Sequence, residues 1–233
     1  MTELKDQILD AALMHVPFDG WSNATLIAAA ADAGADEATA KALFPRGGVD
    51  LALAFHQRGD AQMVAQIKQA NLSDMRFRDR IVFAVRTRLE IAEADKEAVR
   101  RGSTLFALPI HAADGAKAVW GTCDAIWDAL GDPSEDFNWY TKRATLAGVY
   151  SSTVLYWLGD QSLEHEATWA FLDRRIENVM QFEKVKKQVN DSKLLKPLLA
   201  GPNWLLSKVK APAKMRPTDM PGYWSPQQEP SEK

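Results

Sequence analysis

Ile8-Leu9-Asp10-Ala11-Ala12-Leu13-Met14-His15-Val16-Pro17 puts apolar side chains at 8, 9, 12, 13 and 16, the spacing of one buried stripe on an α-helix. That spacing predicts a first helix over Glu3 to Val16. It should stop ahead of Pro17, because a proline pushes the residue before it out of helical geometry. A short loop, Pro17 to Trp21, follows. Ser22 or Asn23 can then cap a second helix that stops at Gly34, and Asp36 can cap a third that ends at Phe44-Pro45. Three short helices thus occupy about 45 residues.

The same reading extends through the rest of the chain. Arg46-Gly47-Gly48 is a turn, and Asp50 to Ala70 is a longer helix carrying Leu51, Phe55, Met63 and Ile67. Further helices are predicted near Asp79 to Ser103, Ala113 to Leu130 and Pro133 to Leu158. In the last of these, Asp132-Pro133-Ser134-Glu135 places a cap carboxylate, a proline in the first turn and a glutamate able to reach back to the cap. Ser162 caps a final body helix running toward Val189, with Glu164 and Glu166 in its first turn. Alanine accounts for 35 of 233 residues and no β-branched run alternates with polar residues, so the fold class is all-α. The organisation read from these elements is a helix-turn-helix unit at 1–48, a helical body at 49–190, a basic amphipathic segment at 191–210 and an extended tail at 211–233, which holds five of the 11 prolines.

Composition excludes several classes. Cys123 is the only cysteine, so neither a disulfide framework nor a cysteine zinc site can form within the chain. The longest uncharged stretch, Ala144 to Gly159, holds Ser151, Ser152, Thr153 and Tyr156 and is too short to span a bilayer. Met1 to Asp10 shows no targeting pattern, which leads to the expectation of a bacterial protein at the cytoplasmic face of the inner membrane. The net charge of −3 is unevenly placed. Phe182 to Arg216 carries nine basic residues against Glu183 and Asp191, leaving Met1 to Gln181 at −8. A basic arm on an acidic body points to a polyanion.

The opening helices with the closing Phe44-Pro45 resemble the helix-turn-helix of TetR repressors. Asp136-Phe137-Asn138-Trp139-Tyr140-Thr141-Lys142-Arg143, then Leu146, Val149-Tyr150, Thr168-Trp169, Phe171-Leu172 and Arg175, resembles more specifically the ubiquinone-biosynthesis accessory family known as the ninth Coq protein. His15-Val16-Pro17-Phe18-Asp19-Gly20-Trp21 and Phe44-Pro45-Arg46-Gly47 extend the likeness over roughly Ile8 to Met180. The resemblance implies a TetR-like lipid-binding fold, a terminal amphipathic helix used on membranes, and a surface at the matching aspartate, tryptophan and tyrosine that engages a hydroxylase.

Individual residues can be weighed against that implication. A DNA-reading helix must bring cations to phosphates, yet residues 1–60 hold nine acids against Lys5, Lys41, Arg46 and Arg58. No nucleic acid is expected as partner. The four histidines are scattered, no Glu-x-x-His pair offers a di-iron site, and no glycine loop offers phosphate binding, so no enzyme, cofactor or metal is expected. Asp136, Tyr140 and Arg143 share a helix face and Trp139 pairs with Arg143 at i, i+4. By itself such a group is either half-buried core or an interface; the resemblance favours a partner-binding patch of Asp136, Trp139, Tyr140 and Arg143.

Along the same helix, Ala144, Ala147, Gly148, Ser151 and Ser152 make a thin stripe that suits close helix packing or leaves room for an apolar ligand. Phe83, Phe106, Trp120, Trp127, Tyr150 and Trp157 are candidates to line such a lipid cavity, or are simple core. Lys193, Leu194, Leu195, Lys196, Leu198, Leu199, Trp204, Leu205 and Lys208 mix leucines and a tryptophan with lysines, as a segment resting on an anionic membrane requires. Pro197 and Gly201-Pro202 break that segment into short pieces. The expectation is a membrane-associated accessory factor that binds an isoprenoid lipid or quinone precursor and presents it to a ring hydroxylase, homodimeric by analogy with TetR proteins. The rival is a TetR-class ligand-sensing transcription regulator, and a ligand-free structural adaptor is a third reading.

Overall fold

The computed structural model describes residues 2–191 and 210–212. Among them are nine α-helices and no strand: α1 Thr2–Asp19, α2 Asn23–Asp32, α3 Glu37–Leu43, α4 Gly48–Gln69, α5 Phe77–Ile91, α6 Lys96–Phe106, α7 Ala112–Ala129, α8 Phe137–Gly159 and α9 Glu166–Asp191. The all-α expectation holds. Of the basic amphipathic segment expected at 191–210, residues 192–209 lie outside the described residues.

Local chemistry sets the first three helices. The Ser22 hydroxyl accepts from the Thr25 N–H at 3.1 Å, and the Thr25 hydroxyl donates to the Gly20 carbonyl at 2.7 Å. Asp36 accepts from the Thr39 N–H at 2.7 Å. Ile8, Leu9, Ala12 and Val16 of α1 bury against Leu26, Ala29 and Ala30 of α2, with Phe44 sealing the base. Gly48 is required where it stands, since a Cβ there would sit 2.3 Å from the Trp21 carbonyl oxygen. Trp21 ties this cluster to α6 by donating Nε1–H to the Ala98 carbonyl at 2.9 Å. A second buried cluster joins α4, α5, α7, α8 and α9 through Met63, Ile81, Val85, Ile126, Leu146 and Leu172.

Three predicted boundaries move. Pro17 lies inside α1, which continues to Asp19. So near the helix end its missing N–H forfeits a single bond, and Arg101 of α6 donates to the Pro17 carbonyl at 2.8 Å. The predicted Asp79 to Ser103 helix breaks at Ala92 into α5, a 3₁₀ turn at Glu93–Asp95, and α6. Glu93 is drawn out of the helical path by Trp157 Nε1, which donates to it at 3.0 Å, and by His165 Nε2 at 2.9 Å. The helix predicted from Pro133 starts instead at Phe137, capped by Asp136, which accepts from the Asn138 N–H at 2.9 Å. Asp132 is engaged elsewhere: its carboxylate takes Lys142 at 2.7 Å, the Ser134 hydroxyl at 2.9 Å and Arg143 at 3.3 Å.

The α8–α9 junction carries a prediction of its own. Ser162 accepts from the Ala167 N–H as expected, but Asp160 does more, accepting from the N–H groups of Ser162 at 2.8 Å and Thr168 at 2.9 Å and from the Thr168 hydroxyl. Burial alone would raise the Asp160 pKa, but the bonds from Thr168 and Ser162 outweigh it and hold the carboxyl well below its usual range. Asp160→Ala is expected to cost about 1–2 kcal/mol at pH 7, the size of a lost helix cap. A depressed pKa contributes stability above the unfolded value and loses it as pH falls toward the folded one. The wild-type advantage should therefore shrink below about pH 4, read by urea denaturation at pH 7 and pH 3. A gap that persists unchanged at pH 3 would rule the ionised cap out.

Candidate functional site

A cavity of about 300 Å³ opens between α4, α6, α7 and α8. Trp21, Phe55, Phe106, Val119, Val154 and Trp157 give it apolar walls. His56, Arg88 and Tyr150 also line it and make one region polar. His56 Nε2 lies 2.7 Å from the Thr122 hydroxyl and 3.2 Å from the Ala118 carbonyl, with Asp60 at 3.5 Å. Arg88 donates to Asp60 at 2.7 Å and to the His56 carbonyl at 3.1 Å. Gly59 gives the guanidinium its place, since a Cβ there would stand 2.7 Å from Arg88 Cζ.

This cluster is electrically quiet. Arg88 is matched by Asp60, burial pushes the His56 imidazole below its ordinary pKa despite the nearby Asp60, and burial raises the Tyr150 phenol. At neutral pH it therefore offers hydrogen bonds without net charge. Burial also pushes the Cys123 thiol up to about 12, which removes it as a nucleophile at neutral pH. Among the described residues no group of three His, Cys, Asp or Glu is placed to hold a metal ion.

The six aromatic residues expected around one cavity are divided. Phe106, Tyr150 and Trp157 line this one, and Trp127 lines a second between α5, α7, α8 and α9. Phe83 is half-buried against the second core cluster, and Trp120 packs on Trp139 with ring centroids 5.9 Å apart, so these two line neither cavity. Sequence reasoning missed Trp21, Phe55, His56 and Arg88. The available signal was His56 and Asp60 at i, i+4 on a helix whose other inward positions are apolar. The small-residue stripe is divided as well. Ser151 faces the cavity, whereas Ala144 and Gly148 are exposed, and a Cβ at Gly148 would meet nothing within 4 Å.

At the other end of α8, Asp136 is exposed, and Trp139 and Tyr140 are half-buried with their rings edge to face at 4.8 Å. Arg143, expected beside them on the surface, is fully buried. Its guanidinium lies 3.9 Å from the Trp139 ring centroid and pairs with Asp124, Asp128 and Asp132. It is a buried support for the patch rather than a contact on it. The segment Lys210–Pro212 runs alongside, where the Ala211 N–H donates to the Glu135 carbonyl at 2.8 Å and the Tyr140 hydroxyl to the Lys210 carbonyl at 3.3 Å.

The helix-turn-helix end has little charge to spare for phosphates. Lys41 pairs with Glu37, Arg46 with Asp50 and Asp114, Arg58 with Asp10, and Lys5 sits over the Phe44 ring. Among the described residues, no helix is long and apolar enough to cross a membrane.

Helix order and packing together define an all-helical, TetR-like fold among the described residues. A TetR transcriptional regulator from Nitrosomonas europaea superposes with a TM-score of 0.62 at 21% identity, covering 75% of this chain and 97% of that one, a likeness of fold. The COQ9 family model matches residues 112–183 of the chain. The chain is similar to the mitochondrial ubiquinone biosynthesis protein COQ9 of Drosophila melanogaster, 35% identical over 79% of this chain and 58% of that protein. The Rattus norvegicus and Homo sapiens proteins of the same name are 34% and 32% identical over 82% of this chain, which covers 63% and 62% of them. The chain thus spans about three fifths of the length of these relatives.

Proposed function

We propose that the chain is a lipid-binding accessory factor of ubiquinone biosynthesis, a non-enzyme that holds an isoprenoid quinone precursor and offers it to a ring hydroxylase. The observation that carries this reading is an apolar cavity with an uncharged hydrogen-bonding region, in a chain that the COQ9 family model matches over residues 112–183. Apolar walls suit a prenyl chain, and His56 and Tyr150 suit the oxygens of a neutral ring better than a phosphate. The hydroxylase is assigned to the surface of Asp136, Trp139 and Tyr140. Membrane contact is assigned to the basic segment at 193–208, and a homodimer to α8 and α9 by analogy with TetR proteins. The regulator reading lacks the free positive charge that duplex binding demands.

The test is mass spectrometry of an organic extract from protein purified without detergent, wild type beside Ser151→Trp. The indole would occupy much of a 300 Å³ cavity. The wild type is expected to carry an isoprenoid near one per chain and the variant less than a tenth of that, at equal helical content by circular dichroism. Equal lipid in both would overturn the assignment of the cavity.

A further inference from the structure

The cavity between α4, α6, α7 and α8 has a mouth, and the turn beside that mouth is apolar. Ala107, Ala112 and Leu155 line the cavity and are themselves exposed, so they form its rim. Between the first two, the turn from α6 to α7 carries Leu108-Pro109-Ile110. Among the described residues Leu108 is 48% exposed, Ile110 79%, and Leu155 on α8 66%. Residues 102–113 contain no Asp, Glu, Lys or Arg. The charges that bound this run are engaged, Arg101 with Glu97 at 3.1 Å and Asp114 with Arg46 at 3.0 Å. Most of the backbone donors are engaged as well. The N–H groups of Ala107, Leu108 and His111 donate to the carbonyls of Ser103, Leu105 and Leu108 at 3.1, 3.2 and 2.9 Å, and Pro109 has no N–H to satisfy. The base of the turn is tightly packed, since a Cβ at Gly115 would stand 2.7 Å from the Phe106 Cβ.

We propose that the turn at 107–112 dips into the hydrocarbon boundary of a membrane, so that a lipid passes between bilayer and cavity without its tail crossing water. This rests on the lipid-binding reading above and adds to it the route of entry. Leucine, isoleucine and proline bring no charge to desolvate, and a turn whose donors are mostly taken carries few unpaired N–H groups into hydrocarbon. The volume argues the same way. A cavity of about 300 Å³ holds a substituted ring with a short branch but not a long prenyl chain, so a longer tail must cross the rim. There it meets Leu108, Ile110 and Leu155 instead of a charged edge. The contact is separate from the one assigned to the basic segment. The described chain resumes at Lys210 beside Tyr140, and Tyr140 and Leu155 lie about 22 Å apart along α8.

The test is site-directed fluorescence on the full chain. Ile110→Cys is labelled with an environment-sensitive nitrobenzoxadiazole, and Lys41→Cys serves as the reference at the helix-turn-helix end. Cys123 is buried with its thiol pushed up to about 12 and stays unlabelled at neutral pH. On vesicles of phosphatidylcholine and phosphatidylglycerol the 110 label is expected to shift to the blue and lose most of its quenching by iodide, while the 41 label keeps its spectrum. Ile110→Glu should bind the vesicles roughly tenfold more weakly, the effect of losing one buried aliphatic side chain. It should still titrate a water-soluble benzoquinone with one isoprenyl group as the wild type does, since nothing inside the cavity has changed. A 110 label that stays quenched on vesicle-bound protein overturns the proposal. So does one already shielded in solution, which would assign the turn to a second copy or to another segment of the chain. Either result leaves the cavity reading standing. A wild type that takes up no quinone while its 110 label enters the vesicle overturns the lipid-binding reading and the passage with it, and the membrane contact then stands alone.

Discussion

Arg143→Ala is expected to destabilise the folded chain by about 3 kcal/mol or more, lowering the thermal midpoint by roughly 6–12 °C. The size comes from what is left behind. Asp124 and Asp128 are about two-fifths exposed and can turn to water, but the Asp132 side chain is 1% exposed and becomes a buried carboxylate short of a partner. Lys142 still pairs with it at 2.7 Å, which places the effect at the lower end of the range for a broken buried ion pair. Trp139 also loses the cation 3.9 Å from its ring. Arg143→Lys should recover only part of the loss, because an ammonium cannot fork between carboxylates. An Asp132→Asn background supplies the check. If the uncompensated charge is the cause, Arg143→Ala costs clearly less there, and equal costs in both backgrounds would reject it.

Arg143 also marks where the sequence was readable and where it was not. Its pairing with Trp139 at i, i+4 was legible because helix geometry alone sets it. Its burial was not, since that depends on carboxylates from α7 and the following turn. The trace was nevertheless present, as Asp124, Asp128 and Asp132 recur every four residues on one line. The caps at Ser22 and Asp36 were likewise legible, being contacts across three residues. Asp132-Pro133-Ser134-Glu135 satisfies the same local pattern and fails, because Lys142 and Arg143 in the second turn of α8 compete for the carboxylate. The break at Ala92 has no glycine or proline to announce it; Glu93 answers to Trp157 and His165, more than sixty residues on. Aromatic content pointed to a ligand site, but which aromatics share a cavity is decided by the crossing of four helices, and that separated Trp127 from Tyr150 and Trp157.

Tyr140→Ala is expected to weaken capture of the proposed hydroxylase by at least about 30-fold, the mark of an aromatic hot spot, while leaving the lipid content of the purified protein intact. Tyr140 is the better probe of the patch than Trp139. The Trp139 ring covers Arg143, so Trp139→Lys would set a second cation against the first and damage the fold as well as the surface. Tyr140 instead is half-buried with its edge on Trp139, and among the described residues its hydroxyl donates to the Lys210 carbonyl, at 3.3 Å. Its removal costs little packing, and the thermal midpoint should move by no more than a few degrees. The measurement is pull-down of the purified hydroxylase at several concentrations, with midpoint and extracted lipid read on the same preparation. Loss of capture alone assigns Tyr140 to the interface. Capture, lipid and midpoint falling together would show that the ring belongs to the core, and the surface sought for the partner would then lie elsewhere on the molecule.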